Sequence, residues 1–150
     1  MTSILLVHHS PTTSLRQIAQ AVRAGVEHPD LDGAVTLNSR PALEAEVSDV
    51  IAAAGVVLLT PVNFGYMSGA LKHFFDCTYR DLMAQKVRRP HLAVIKGTTD
   101  ADGAVRALEA ITTGLKWQRF RPPVVVEGPA DQQFLDRVSM ACAELAASLV

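Results

Sequence analysis

The sequence predicts a doubly wound α/β sandwich: one parallel sheet with helices on both faces. Three observations predict it. Four short apolar runs are continuous rather than alternating and rich in Val, Ile and Leu, as strands covered on both faces are. The stretches between them carry helical spacing. Each run is followed by turn-forming or hydroxyl residues, without an internal repeat or a Pro/Ser linker, so right-handed crossovers close a single sheet across residues 1–150 as one domain.

Taken in order, residues 4–7 form the first run. A helix is expected over residues 14–27, where Leu15, Ile18, Ala19, Val22 and Val26 share a face and Ser14 is its N-cap. Residues 34–37 are a weaker strand. The second helix is expected over residues 42–54, with Leu43, Val47, Val50 and Ile51 on its apolar face. Residues 56–59 are the next strand, and a helix over residues 68–81 carries Leu71, Phe74 and Phe75 behind a Ser68 cap. A strand at residues 92–95 precedes a helix over residues 103–115 with Val105, Leu108, Ile111 and Leu115. The strand at residues 124–126 and a helix from Asp131 towards Leu149 complete the alternation.

Composition bounds the function. With 49% hydrophobic and 19% charged residues the chain can bury a core and is not disordered. A formal net charge of −1 gives no field to hold nucleic acid or an anionic membrane. Cys77 and Cys142 are far apart and outside any CxxC, so no disulfide framework or four-ligand zinc site is expected. No run approaches the ~18 apolar residues of a membrane span, and the N-terminus lacks a signal-peptide pattern, which reads as cytoplasmic.

In doubly wound sheets ligands bind beyond the carboxyl ends of the strands, so function is sought in three loops: residues 8–14, 60–68 and 97–102. The first, His9-Ser10-Pro11-Thr12-Thr13-Ser14, sets four hydroxyls at a helix start, where free N–H groups and the helix dipole favour an anion; a plain capped turn is the other reading. It has no G-x-x-x-x-G-K-[ST], and no G-x-G occurs in the chain, which excludes a P-loop and the dinucleotide fingerprint. Ser10 and Arg16 have the spacing of a cysteine-phosphatase loop but lack its thiolate. Where a receiver domain needs acidic residues, the chain has His8-His9 and Thr60-Pro61. His8 and His9 have no nearby acidic or thiol partner, so no metal site is expected.

The second loop mixes a turn-setting Pro61, a permissive Gly65 and the aromatics Phe64 and Tyr66, a composition suited to a planar ligand. Residues 65–69 read G-x-x-S-G, one place off the hydrolase elbow, which leaves Ser68 as a helix cap. Thr60, Pro61, Phe64, Gly65, Met67, Ser68, Gly69, Leu71, Lys72, Phe74 and Asp76 match T-P-x-x-F-G-x-M-S-G-x-L-K-x-F-x-D. On these residues, on the first loop and on the order of elements, the chain resembles the flavodoxin-like FMN proteins, in their NAD(P)H-dependent FMN reductase and quinone oxidoreductase branch.

The resemblance implies a flavodoxin-like three-layer sandwich with a five-stranded parallel sheet in the order 2-1-3-4-5. It implies FMN, with Ser10, Pro11, Thr12, Thr13, Ser14 and Leu15 at the phosphate and Pro61, Val62, Asn63, Phe64 and Gly65 at the ring. Gly97, Thr98, Thr99 and Asp100 lie along the pyrimidine side and ribityl chain. NAD(P)H is the implied donor, a quinone, flavin or other small molecule the acceptor, and a dimer or tetramer the assembly. No catalytic side chain is assigned, because the flavin carries the chemistry. The chain departs from the family at Thr13-Ser14-Leu15, where Gly-Asn-Thr is usual, and at Asp100 and Asp102, which add negative charge near a reduced ring. A flavodoxin-type electron carrier docking a protein partner, or a flavin-free interaction module, are the alternatives; the small net charge speaks against the carrier.

Outside the loops, Cys77 is expected as a buried structural thiol, Arg88-Arg89 as a solvated turn and residues 116–121 as a connection with Trp117 packed on a helix.

Overall fold

The computed structural model describes residues 1–150. The chain runs β1 (Thr2–His8), α1 (Thr13–Val26), β2 (Val35–Pro41), α2 (Val47–Ala52), β3 (Gly55–Asn63) and β4 (Tyr66–Met67). It continues through α3 (Gly69–Ala84), β5 (Pro90–Gly97), α4 (Asp102–Gly114), β6 (Gln118–Arg119), β7 (Val124–Glu127) and α5 (Gln132–Ser148). The sheet order is β2-β1-β3-β5, with β6 pairing the start of β5 and β7 its end. These pairings are parallel, so the core keeps the flavodoxin-like order. The sheet has seven strands instead of five because the outer position is split between β6 and β7, and because β4 folds back antiparallel on β3.

Alternation along the strands divides the interior in two. Ile4 and Leu6 of β1, Val57 and Leu59 of β3 and Leu92 and Val94 of β5 face α1 and α5. Leu5, Val7, Val56, Leu58, Ala93 and Ile95 face the layer of α2, α3 and α4 with Phe74, Phe75 and Trp117. Each fully buried aliphatic side chain contributes roughly 1.5–3 kcal/mol relative to exposure, which is why unbroken apolar runs settle as central strands. α1 and α5 cross closely: a Cβ on Gly25 would stand 2.2 Å from the Ser139 carbonyl oxygen, and Ser139 Oγ donates to Ala21 O at 2.7 Å.

Helix ends explain several boundaries. α1 is capped by Thr12, whose Oγ1 accepts from Leu15 N at 3.2 Å, so the expected Ser14 cap sits inside the helix instead. Ser68 and Asp131 cap α3 and α5 through their side-chain oxygens. α3 and α4 end in matching reversals: Val87 N donates to Leu82 O and Trp117 N to Thr112 O, with Lys86 (φ 55°) and Lys116 (φ 61°) in the left-handed position where glycine is usual.

The second helix is shorter than the spacing suggests. Ala45 N donates to Pro41 O in a turn, and Asp49 accepts from Glu46 N at 2.9 Å, so the helix begins only at Val47 and Leu43 is left in solvent. Arg89 is not a solvated turn residue: its guanidinium donates to Ala53 O at 2.7 Å and Ile51 O at 3.1 Å, closing the end of α2. Trp117 is buried against Phe75, and its indole N–H donates to Val87 O at 3.0 Å. Cys142 is buried as a core thiol, whereas Cys77 is exposed, because the apolar face of α3 runs through Leu71, Phe74, Phe75, Thr78 and Leu82.

Candidate functional site

Three loops leave the carboxyl ends of β1, β3 and β5, and the sheet sets their spacing. In the first, His9 N donates to Leu59 O at 3.1 Å and Ala42 N to His8 O at 2.7 Å, which fixes the chain as it leaves β1. The His8 ring bonds Ser10 Oγ through Nδ1 at 2.9 Å. Burial, and then the charge of His9, hold the His8 pKa below the ordinary histidine value. Pro11, Thr12 and Thr13 are exposed, and Ser14 is half-buried.

Two backbone donors of this turn are already used: Leu15 N on Thr12 Oγ1, and Arg16 N on Thr12 O at 3.0 Å. Thr13 N and Ser14 N have no acceptor within the chain, so the start of α1 presents two free N–H groups and the positive end of its dipole. Arg16 reaches back to Thr13 Oγ1 at 3.1 Å and adds a full positive charge beside them. Leu15 has its N–H on Thr12 Oγ1 and its side chain buried in the core.

The second loop is a hairpin. Asn63 pairs with Tyr66 and Val62 with Met67, leaving Phe64 and Gly65 as a two-residue turn with φ of 52° and 73°. Positive φ at both central positions is the turn that matches strand twist, but a bulky residue rarely takes it. Phe64 does so with its ring fully exposed. Beneath, the buried Thr60 hydroxyl donates to Pro61 O at 2.7 Å and accepts from Ser68 N at 2.9 Å, tying the hairpin to the start of α3. Pro61 remains in the sheet opposite Lys96 of β5.

The third loop is held from two sides. Gly128 N donates to Gly97 O at 2.8 Å, and Glu127 Oε2 accepts from Ala101 N at 3.2 Å. Asp100 Oδ1 accepts from Asp102 N at 2.8 Å, so Asp100 closes the turn before α4. A Cβ on Gly97 would stand 3.0 Å from Val62 Cγ2, which brings the third loop against the second.

Two cavities open at this end of the sheet. One, of 340 Å³, is lined by Val62, Phe64, Gly65, Thr98, Thr99, Asp100, Gly103 and Arg106. It gathers six of the residues expected at the ring and ribityl chain. The other, of 440 Å³, lies beside the first loop, with Ser10 and Pro11 on one side and Pro41, Ala42, Leu43 and Glu44 on the other. His9 lines it, and its Nδ1 is buried without a hydrogen-bond partner. A third cavity, of 430 Å³, lies on the outer surface of α5 around Leu31, Met140 and Ala143, away from the strand ends and their free backbone donors.

Sequence reasoning did not single out Arg106, the one cation lining the 340 Å³ cavity. The signal was present: Arg106 lies three residues after Gly103, one helical turn into α4, and shares its face. The part of the wall formed by residues 42–44 was missed because it was assigned to a helix.

A flavodoxin-like sandwich with a hydroxyl-rich turn and free N–H groups after the first strand, and an aromatic hairpin after the third, defines the class of protein. The chain belongs to the NADPH-dependent FMN reductase family, whose model matches residues 10–130, and this makes it a flavin-binding oxidoreductase. The fold is shared with a WrbA-like flavodoxin from Agrobacterium tumefaciens, with TM-score 0.80, 16% identity and coverage of 99% of this chain and 98% of that one. An archaeal flavodoxin gives TM-score 0.81 at 13% identity, covering 99% of each chain. Rubredoxin:oxygen oxidoreductase from Desulfovibrio gigas gives TM-score 0.80 at 12% identity; this chain spans 36% of its length. No curated protein matches the sequence.

The donor set fits FMN. Free N–H groups beside Arg16 suit a phosphate, the orphaned His9 Nδ1 lacks a partner that a bound ligand can supply, and Phe64 presents an aromatic face beside a 340 Å³ cavity.

Proposed function

We propose that this chain binds FMN across its three strand-end loops and catalyses electron transfer from NAD(P)H to a quinone, flavin or other small acceptor. The observation that carries the reading is the meeting of the second and third loops around one cavity, with an anion-ready helix start on β1 of the same sheet. When bound, FMN supplies the hydride-accepting ring.

The chain's own residues bind and orient. Thr13 N, Ser14 N and the hydroxyls of Ser10, Thr12, Thr13 and Ser14 hold the phosphate, and the positive charge of Arg16 offsets the hydroxyl and the flexible glycine lost with the Gly-Asn-Thr spelling. Pro61, Val62, Asn63, Phe64 and Gly65 form the platform for the ring. Gly97, Thr98, Thr99 and Asp100 flank its polar side and the ribityl chain, and Arg106 offsets the carboxylate of Asp100 where negative charge develops. We read the chain as one domain acting on small molecules in the cytoplasm, as a dimer or larger assembly; the fully exposed Phe64 supports a partner subunit over the site.

Visible absorbance of the purified protein, with FMN added and the unbound portion removed, tests this. Retained flavin bands that bleach on adding NADPH or NADH are the expected result. Retained flavin that neither nicotinamide reduces points to an electron carrier, and failure to retain flavin overturns the reading.

A further inference from the structure

On its exposed face, α3 carries a thiol and an imidazole side by side. Cys77 Sγ lies 3.3 Å from His73 Nε2, one helical turn earlier, and both residues are exposed. Together with Arg40 of β2 they line a cavity of 380 Å³ whose far wall is formed by Ala42, Glu44 and Glu46. An accessible thiol, a base within reach of its proton and a space beside it are the three requirements of a nucleophilic cysteine. The other cysteine has none of them: Cys142 is fully buried, and burial pushes its thiol up to about 12.

We propose that Cys77 and His73 form a thiol-modification site that takes low-molecular-weight disulfides. The Cys77 proton passes to His73 Nε2, and the thiolate attacks one sulfur of the incoming disulfide. Its S–S bond breaks as the new S–S bond to Cys77 forms. The displaced thiolate leaves and takes up the proton. Cys77 is oxidised and the departing sulfur reduced, so the disulfide itself is the oxidant and no other reagent enters. The charges around the pair are mixed. Arg40 faces it from β2 and Glu44 and Glu46 from the stretch before α2, while α3 itself carries Asp76, Arg80 and Asp81 within four residues of Cys77. His73 is therefore the neighbour that distinguishes this thiol from an ordinary surface cysteine.

The test uses the full chain, first reduced and then exposed to glutathione disulfide at neutral pH, with intact mass and peptide mapping as readouts. One mixed disulfide, located at Cys77, absent from Cys142 and released by dithiothreitol, is expected. With a chromogenic aromatic disulfide as probe, His73→Gln slows the reaction at Cys77 by about tenfold or more, the loss of a positioned base. No adduct at Cys77 in the folded protein, or a His73→Gln variant that reacts as fast as the parent, overturns the proposal. Neither readout requires bound flavin.

Discussion

Gly103 and Gly65 touch: a Cβ built on Gly103 would lie 2.0 Å from the Gly65 carbonyl oxygen. The first turn of α4 and the tip of the β3–β4 hairpin are thus one unit, joined where Gly103 leaves no room for a side chain. Gly103→Ala has to push the hairpin away, at about 1–3 kcal/mol for an overpacked contact. The expected result in urea unfolding is a lower midpoint with unchanged slope, together with loss of flavin retention. A variant as stable as the parent shows that the hairpin yields freely.

The two hydroxyls at the start of α1 differ in that Thr12 also caps the helix and Ser14 does not. Thr12→Ala removes the bond to Leu15 N and costs about 1 kcal/mol of stability. Ser14 Oγ has no such bond, so Ser14→Ala leaves ligand-free stability within about 0.5 kcal/mol and weakens flavin binding. Paired unfolding curves and flavin titrations check the contrast; equal stability losses would remove it.

Phe64 holds a left-handed backbone with its ring in solvent. Phe64→Asn gives the Asn-Gly turn that this geometry favours and raises stability by about 1 kcal/mol. If the ring serves the flavin, retention falls in the same variant. A stabilised variant that binds flavin as well as the parent assigns the exposed ring no part in the site.

His91 makes stability pH-dependent. Burial, its largest influence, lowers its pKa in the folded protein, while the unfolded residue titrates near 6.5. Between the folded value and about 6.5 the unfolded chain therefore binds more protons, so this contribution is intact above the unfolded pKa and is lost as pH falls through the folded one. Urea midpoints should decline below about pH 6.5, and less so in His91→Gln. Parallel declines in both proteins would place the titration elsewhere, His8 being the next candidate.

Lys86 and Lys116 occupy positions that glycine usually takes at helix ends. Lys86→Gly relieves the left-handed strain and gains up to about 1 kcal/mol, because the backbone bonds of the reversal need no side chain. Thermal unfolding of the variant gives the sign directly.

The central layout was legible because it depends on buried strands, and burial on both faces leaves unbroken apolar runs such as residues 56–59. β2 was read only as far as Leu37, yet it continues through Asn38, Ser39 and Arg40 to Pro41. Pairing along all of β1, from Thr2 opposite Val35 to His8 opposite Pro41, overrides the polarity of those residues. The second helix was overextended for a related reason: Ala42 and Ala45 are buried, but by a turn. The loop positions followed from the strand ends, whereas the contact of Gly103 with Gly65 joins residues 38 apart and no local pattern encodes it. Cys77 was misread although the spacing of Leu71, Phe74, Phe75, Thr78 and Leu82 already sets it off the buried face.

Residues 42–44 wall two cavities at once, the one beside the first loop and the one holding Cys77. One backbone segment is thus the common boundary of two occupiable spaces, and occupancy of either acts on the same few atoms. The thermodynamic cycle that joins them is symmetric. By whatever factor a disulfide adduct on Cys77 alters flavin affinity, bound flavin alters the equilibrium for forming that adduct by the same factor.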